Sequence, residues 1–145
     1  MAKIARLAAT FPPSRFAVFG GQSDFLLGGL AVGSAGCIAA FANIFPRSVS
    51  RLYELWRRGR FDEALELQKT LSLAESCTKA GIANTKYAAA IMTAPKAGID
   101  NAAALLRPRR PYEEPTDAVK AQIRGVMEKI RHLEDIEVLG RESRL

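Results

Sequence analysis

The stretch FAVFGGQSDFLLGGLAVGSAGCIAAFANIFP, residues 16–46, decides how the chain folds. Phe16-Ala17-Val18-Phe19 is a continuous apolar run held between Arg15 and Gly20-Gly21. A short, wholly apolar run bounded by turn residues suits a strand buried on both faces. Gly20-Gly21 ends it, Ser23 or Asp24 can N-cap a helix over Phe25 to Val32, and Gly33 fits the C′ position after that helix. Ser34-Ala35-Gly36 reads as a short loop, and Cys37-Ile38-Ala39-Ala40-Phe41 as a second apolar strand. Before them, Met1 to Thr10 reads as a short helix stopped by Phe11-Pro12-Pro13. The order helix, strand, helix, strand with short connections implies parallel β/α units and an α/β class.

Beyond Pro46 the pattern is wholly helical. Val49, Leu52, Tyr53 and Trp56 recur at helical spacing until Gly59. Asp62 then suits the first turn of a helix whose Ala64, Leu67, Leu71, Ala74 and Thr78 share a face, closed by Gly81. Asn84 can cap a third helix, with Tyr87, Ala90, Ile91 and Ala94 inward and Pro95 as its stop. Arg107-Pro108-Arg109-Arg110-Pro111 is a basic, proline-held linker. Thr116 caps a last helix carrying Val119, Ile123, Val126, Met127, Ile130 and Leu133 on one stripe.

The chain has 145 residues, 48% hydrophobic and 25% charged, a globular composition that argues against disorder. The net charge of +6 leans toward anionic partners. No aromatic-interleaved basic stripe or zinc-finger spacing accompanies it, so the reading assigns no nucleic acid as partner. Cys37 and Cys77 have neither CxxC nor metal-ligand spacing and read as reduced, small buried residues of an intracellular, cytoplasmic protein. His132 reads as a surface residue. Met1 to Val18 carries Lys3, Arg6 and Arg15 and no acid, so a mitochondrial presequence competes there with a surface helix.

A membrane span is the rival reading of Phe25 to Phe45, which holds no charged residue and is close to the roughly 20 residues a span needs. It also contains Gly29-x-x-x-Gly33, a close-packing spacing for transmembrane helices. Against it, Gly28, Gly29, Gly33 and Gly36 crowd the run, each costing up to ~1 kcal/mol against alanine in a helix. The globular reading is therefore adopted, with the membrane-associated or helical binding protein as alternative.

Gly33 to Pro46, GSAGCIAAFANIFP, resembles the eighth-strand signature of the dihydrodipicolinate synthase / N-acetylneuraminate lyase family of Schiff-base aldolases, Gly-Ala-x-Gly-x-Ile-Ser-x-x-Ala-Asn. Leu52-Tyr53 follows where that pattern places Leu-Tyr, and Gly59 to Ala64 resembles the link into the family's C-terminal helices. Gly81-Ile82 and Lys86 match the stretch before its penultimate helix. Gly20 to Phe25 lacks the Asp-Glu pair of many relatives and is more similar to the 4-hydroxy-2-oxoglutarate aldolase side.

The resemblance implies the C-terminal portion of a TIM (β/α)8 barrel, about strands seven and eight, in residues 1–59, and a helical extension in 60–145. It implies an aldolase that forms a lysine imine with pyruvate or another 2-keto acid, with no metal or organic cofactor. A complete barrel takes about 250 residues. The imine lysine, the relay tyrosine and the carboxylate-holding loop are therefore expected upstream of Met1, and no catalytic residue is assigned within the chain. By family position Ile38 would contact the keto acid, and Gly20 and Gly21 would let backbone approach it closely. Two strands cannot close a barrel, so the isolated chain is expected to be marginal, homo-oligomeric or aggregation-prone, and inactive alone.

Overall fold

The computed structural model describes residues 1–135. The chain runs α1 (Ala2–Thr10), β1 (Phe19–Gly20), α2 (Leu26–Ala31), β2 (Gly36–Cys37), a 3-10 turn at Ala40–Asn43 and α3 (Pro46–Arg57). Then follow α4 (Phe61–Ser76), α5 (Ile82–Met92), α6 (Ala102–Leu105), α7 (Asp117–Ile130) and a 3-10 turn at Arg131–Glu134. β1 and β2 pair in parallel, Phe19 opposite Gly36 and Gly20 opposite Cys37. Parallel pairing across an intervening helix is the β/α unit that the apolar runs imply.

The strands are shorter than those runs. Phe16 stays outside β1, and Ala40 and Phe41 turn into the 3-10 segment. Each strand has its partner on one side only among the described residues. The 3-10 turn instead delivers Phe41, Ile44 and Phe45 into the core, with the rings of Phe41 and Phe45 stacked 5.3 Å apart. The core continues through Leu52 and Leu55 of α3, Leu71 of α4, Met92 of α5 and Ile123 and Met127 of α7.

The glycine assignments decide two junctions. Gly33, at C′ of α2, has φ +94°, and a Cβ there would lie 2.8 Å from Ala8 Cβ. Gly28 is similarly tight, its added Cβ falling 2.9 Å from Met1 Cε. Ala8 of α1 and the tip of Met1 thus approach the two glycines, although no α1 residue is buried. Ser34 is buried and ties the strand entrances together, accepting the Gly36 N–H at 3.2 Å with its hydroxyl 3.1 Å from Val18 O.

The segment Phe25–Phe45 breaks into a six-residue helix, a two-residue strand and a 3-10 turn. Among the described residues no helix is long and apolar enough to cross a membrane. Thr116 caps α7 as its position predicts, accepting the Val119 N–H at 3.4 Å. Ser23 and Asp24 do not cap α2, and Asn84 sits inside α5 rather than at its start. Their side chains are engaged elsewhere: Asn84 donates to Cys77 O at 3.1 Å. Glu134, without a role in the sequence reading, accepts the Arg47 N–H at 2.7 Å, the Ser48 N–H at 3.0 Å and the Ser48 hydroxyl at 2.8 Å. One carboxylate thereby satisfies the opening turn of α3.

Candidate functional site

The two faces of the β1–β2 pair differ. Val18 is buried, Gly20 lies under the Phe25 ring, where an added Cβ would meet Cε2 at 3.0 Å, and Cys37 packs on the main core. Alternation sends Phe19 and Ile38 the other way. The Phe19 ring lies over Gly36, whose added Cβ would sit 3.6 Å from it. Phe19 is 47% exposed and Ile38 75%, a high value for isoleucine in a β/α unit. The Ile38 N–H donates to Gly20 O at 2.8 Å, so Gly20-Gly21 and Ile38 stand side by side where both strands end.

At the same end, a cleft of about 280 Å³ is lined by Gly21, Gln22, Ala40, Phe41, Glu75, Thr78, Lys79 and the start of α5. Its polar edge comes from Glu75 near the end of α4 and from Thr78 and Lys79 beyond it, and α4 carries further polar groups behind the loop after β1. Gln68, Ser72 and Glu75 fall on one side of that helix, and Lys79 follows in the turn beyond it. Gln68 Nε2 donates to Ser23 O at 2.9 Å, and its Oε1 accepts the Leu27 N–H at 3.0 Å. Ser72 Oγ donates to Asp24 O at 2.8 Å. The Ser23 hydroxyl, fully buried, donates to Glu75 Oε2 at 2.5 Å. Lys79 pairs with Asp24 Oδ2 and donates to Gln22 Oε1 at 3.0 Å. The other Asp24 oxygen, Oδ1, is buried without a hydrogen-bond partner among the described residues.

Glu75 is only 4% exposed. Burial pushes its carboxyl above the ordinary value, the Ser23 hydroxyl pulls it back, and nearby Asp24 raises it again while Lys79 lowers it. Burial, and then Glu75, push the Cys37 thiol up, and burial does the same to Cys77. Neither thiol is tuned toward a reactive thiolate.

A parallel two-strand unit with its strand ends at a polar cleft, followed by a helical tail, is compatible with several α/β folds. A profile of the Dihydrodipicolinate synthetase family matches residues 1–126. The chain belongs to that family. It is 60% identical over 132 residues to a Coccidioides immitis protein provisionally named a mitochondrial 4-hydroxy-2-oxoglutarate aldolase, covering 91% of this chain and 42% of the relative. The fold matches a crystal structure of a protein provisionally assigned to the dihydrodipicolinate synthase family, also from Coccidioides immitis. There the TM-score is 0.87 at 58% identity, over 92% of this chain and 43% of that one. It also matches YagE of Escherichia coli K12, solved in complex with pyruvate, at TM-score 0.68 and 20% identity over 90% of this chain and 43% of YagE. That last likeness concerns the fold alone. The chain therefore spans less than half the length of these family members.

Within the family frame, the structure brings Gly20, Gly21 and Ile38 together at the strand ends. Gly20 is committed to the Phe25 ring on the covered side, whereas Gly21 lines the cleft and Ile38 stands on the open face. Among the described residues no lysine lies on a strand. Lys3 is on α1, Lys69 on α4, Lys86 on α5, Lys120 and Lys129 on α7, and Lys79 and Lys96 in turns. The residues that sequence reasoning missed are Gln68, Ser72, Glu75 and Glu134. The available signal was polar residues at 68, 72 and 75 beside the apolar face at 67, 71 and 74, a second helical stripe easily taken for a solvated surface.

Proposed function

We propose that this chain furnishes the seventh and eighth strands and the C-terminal helices of a class I aldolase barrel. That barrel condenses a lysine with pyruvate or another 2-keto acid. The protonated imine acts as an electron sink, so the adjacent carbon–carbon bond is made or broken. The observation that carries the reading is the open sheet face. Phe19 and Ile38 stand uncovered where the neighbouring strands of a barrel would close over them. The remaining strands, from the same polypeptide or from a second one, supply the imine lysine and the relay tyrosine, and Ile38 and the backbone of Gly20-Gly21 border the keto acid. Residues 1–59 form the barrel part and the residues from 60 onward the extension.

Support for the substrate class comes from the 4-hydroxy-2-oxoglutarate in the relative's name and from the pyruvate bound to YagE. The relative named mitochondrial favours that compartment over the cytoplasm.

The test is borohydride trapping. The 145-residue chain is mixed with the segment of the Coccidioides relative that lies outside the matched region, and pyruvate and borohydride are added. Mass spectrometry is expected to find a reduced pyruvate adduct on the relative's segment only when this chain is present, and none on this chain alone. An adduct on one of this chain's own lysines, or no adduct in the mixture, would contradict the proposal.

A further inference from the structure

The geometry points to α4 as the element that shapes the loop after β1, with Glu75 as its positioning residue. The effect on the keto acid rests on the aldolase reading above, whereas the effect on the loop does not. Residues Gly21 to Phe25 run without a ladder partner, so their polar groups must be met from elsewhere. They are met from α4 and the turn that follows it. Gln68 and Ser72 hold the carbonyls of Ser23 and Asp24, Glu75 holds the Ser23 hydroxyl, and Lys79 holds the side chains of Gln22 and Asp24. These groups stand 45 or more residues away in sequence.

Glu75 is the member that stability alone explains least. A buried carboxylate is costly unless strongly paired, and the contact described for this one is a neutral hydroxyl. An apolar residue of similar size would suit the interior better but would leave the buried Ser23 hydroxyl without its acceptor. What the pair secures is the path of the chain as it leaves β1, and hence the place of the Gly21 backbone beside Ile38. The C-terminal extension thus sets the ligand-side geometry of a loop it does not belong to.

The test compares Glu75→Ala, Ser23→Ala and Glu75→Gln in the 145-residue chain. Hydrogen exchange of the chain alone reads the loop. Borohydride trapping in the mixture described above reads the ligand, as the half-saturating pyruvate concentration against the maximal trapping rate. For both alanine variants, amides of residues 21–26 are expected to exchange about tenfold faster while α3 and α7 keep their rates. Half-saturating pyruvate should rise about tenfold with the maximal rate held within about threefold. Glu75→Gln, whose amide oxygen can still accept the Ser23 hydroxyl, should restore both to within about threefold. Unchanged loop exchange in Glu75→Ala, equal acceleration throughout the chain, or a Gln variant no better than Ala would each overturn the proposal. If the unsubstituted chain supports no trapping, the aldolase reading falls, and loop exchange alone decides the role of Glu75.

Discussion

One face of the β1–β2 pair sends Val18, Gly20 and Cys37 against α2, Phe25 and the core, while the other shows Phe19 and Ile38 to solvent. The same two short runs of backbone make both faces, so strand propensity does not distinguish them. The difference lies in what covers each. The covered face is completed by helices within the chain, which fixes its energetics locally. The open face is apolar without a cover among the described residues, and in the proposed barrel it is the face that would turn inward, to be covered when the other strands close the barrel.

The comparison is sharpened most by damaging the covered side. Phe45 is fully buried and stacked on Phe41, so Phe45→Ala should cost about 3–5 kcal/mol in urea denaturation of the chain. A chain that tolerates it would show that the core beneath the sheet is not what holds the two strands.

Glu134 tests whether the end of the described chain belongs to the same closed unit. Glu134→Ala strips the partner from the Arg47 and Ser48 N–H groups and should cost about 1–3 kcal/mol, read by the same denaturation. An unchanged midpoint would mean that water replaces the carboxylate without loss.

Glu75 separates the two faces by pH. Its carboxyl is raised in the fold, so the folded state holds the proton more tightly than the unfolded chain. That contribution is complete below the ordinary carboxylate pKa and is lost as pH rises through the raised one. Asp24 and Lys79 are the charged neighbours that tune it, and Cys37 is a titratable group that it raises in turn. Glu114 and Asp135, held low by Lys120 and Lys96, change stability in the opposite sense, so the quantity to measure is the difference from Glu75→Gln. The advantage of the Gln variant over the unsubstituted chain should grow with pH across that window and then level off. A pH-independent difference would mean that Glu75 keeps its ordinary titration in the fold.

The smallest effect is expected on the open face. Ile38→Ser should leave the stability of the chain alone within about 0.5 kcal/mol, because its side chain is largely solvated, and should reduce self-association. A large loss would place Ile38 in a core of this chain instead.

Much of the covered side was legible in the sequence. Val49, Leu52 and Trp56 announced α3 by their spacing, Gly33 and Gly59 marked helix ends that the structure places at positive φ, and Thr116 stood at a cap it fills. The strand lengths were not legible, because an apolar run records burial and does not record where the ladder ends. Phe41 reads as strand in isolation and becomes the anchor of a 3-10 turn once Phe45 stacks on it. The polar stripe of α4 behind the loop after β1 was hidden for a different reason. Gln68, Ser72 and Glu75 look like a solvated face until the loop 45 or more residues earlier is laid against them. α6 is four residues long and carried too little periodicity to be seen.

The most direct test of the open face is its burial on completion of the barrel. The 145-residue chain would be combined with the segment of the Coccidioides relative outside the matched region, and hydrogen exchange followed at Phe19 to Gly21 and Gly36 to Ala39. The proposed architecture predicts a one-to-one complex in which these amides become protected, and in which Ile38→Lys abolishes both protection and association. A chain that ignores the added segment, with Ile38 as exposed as before, would contradict it.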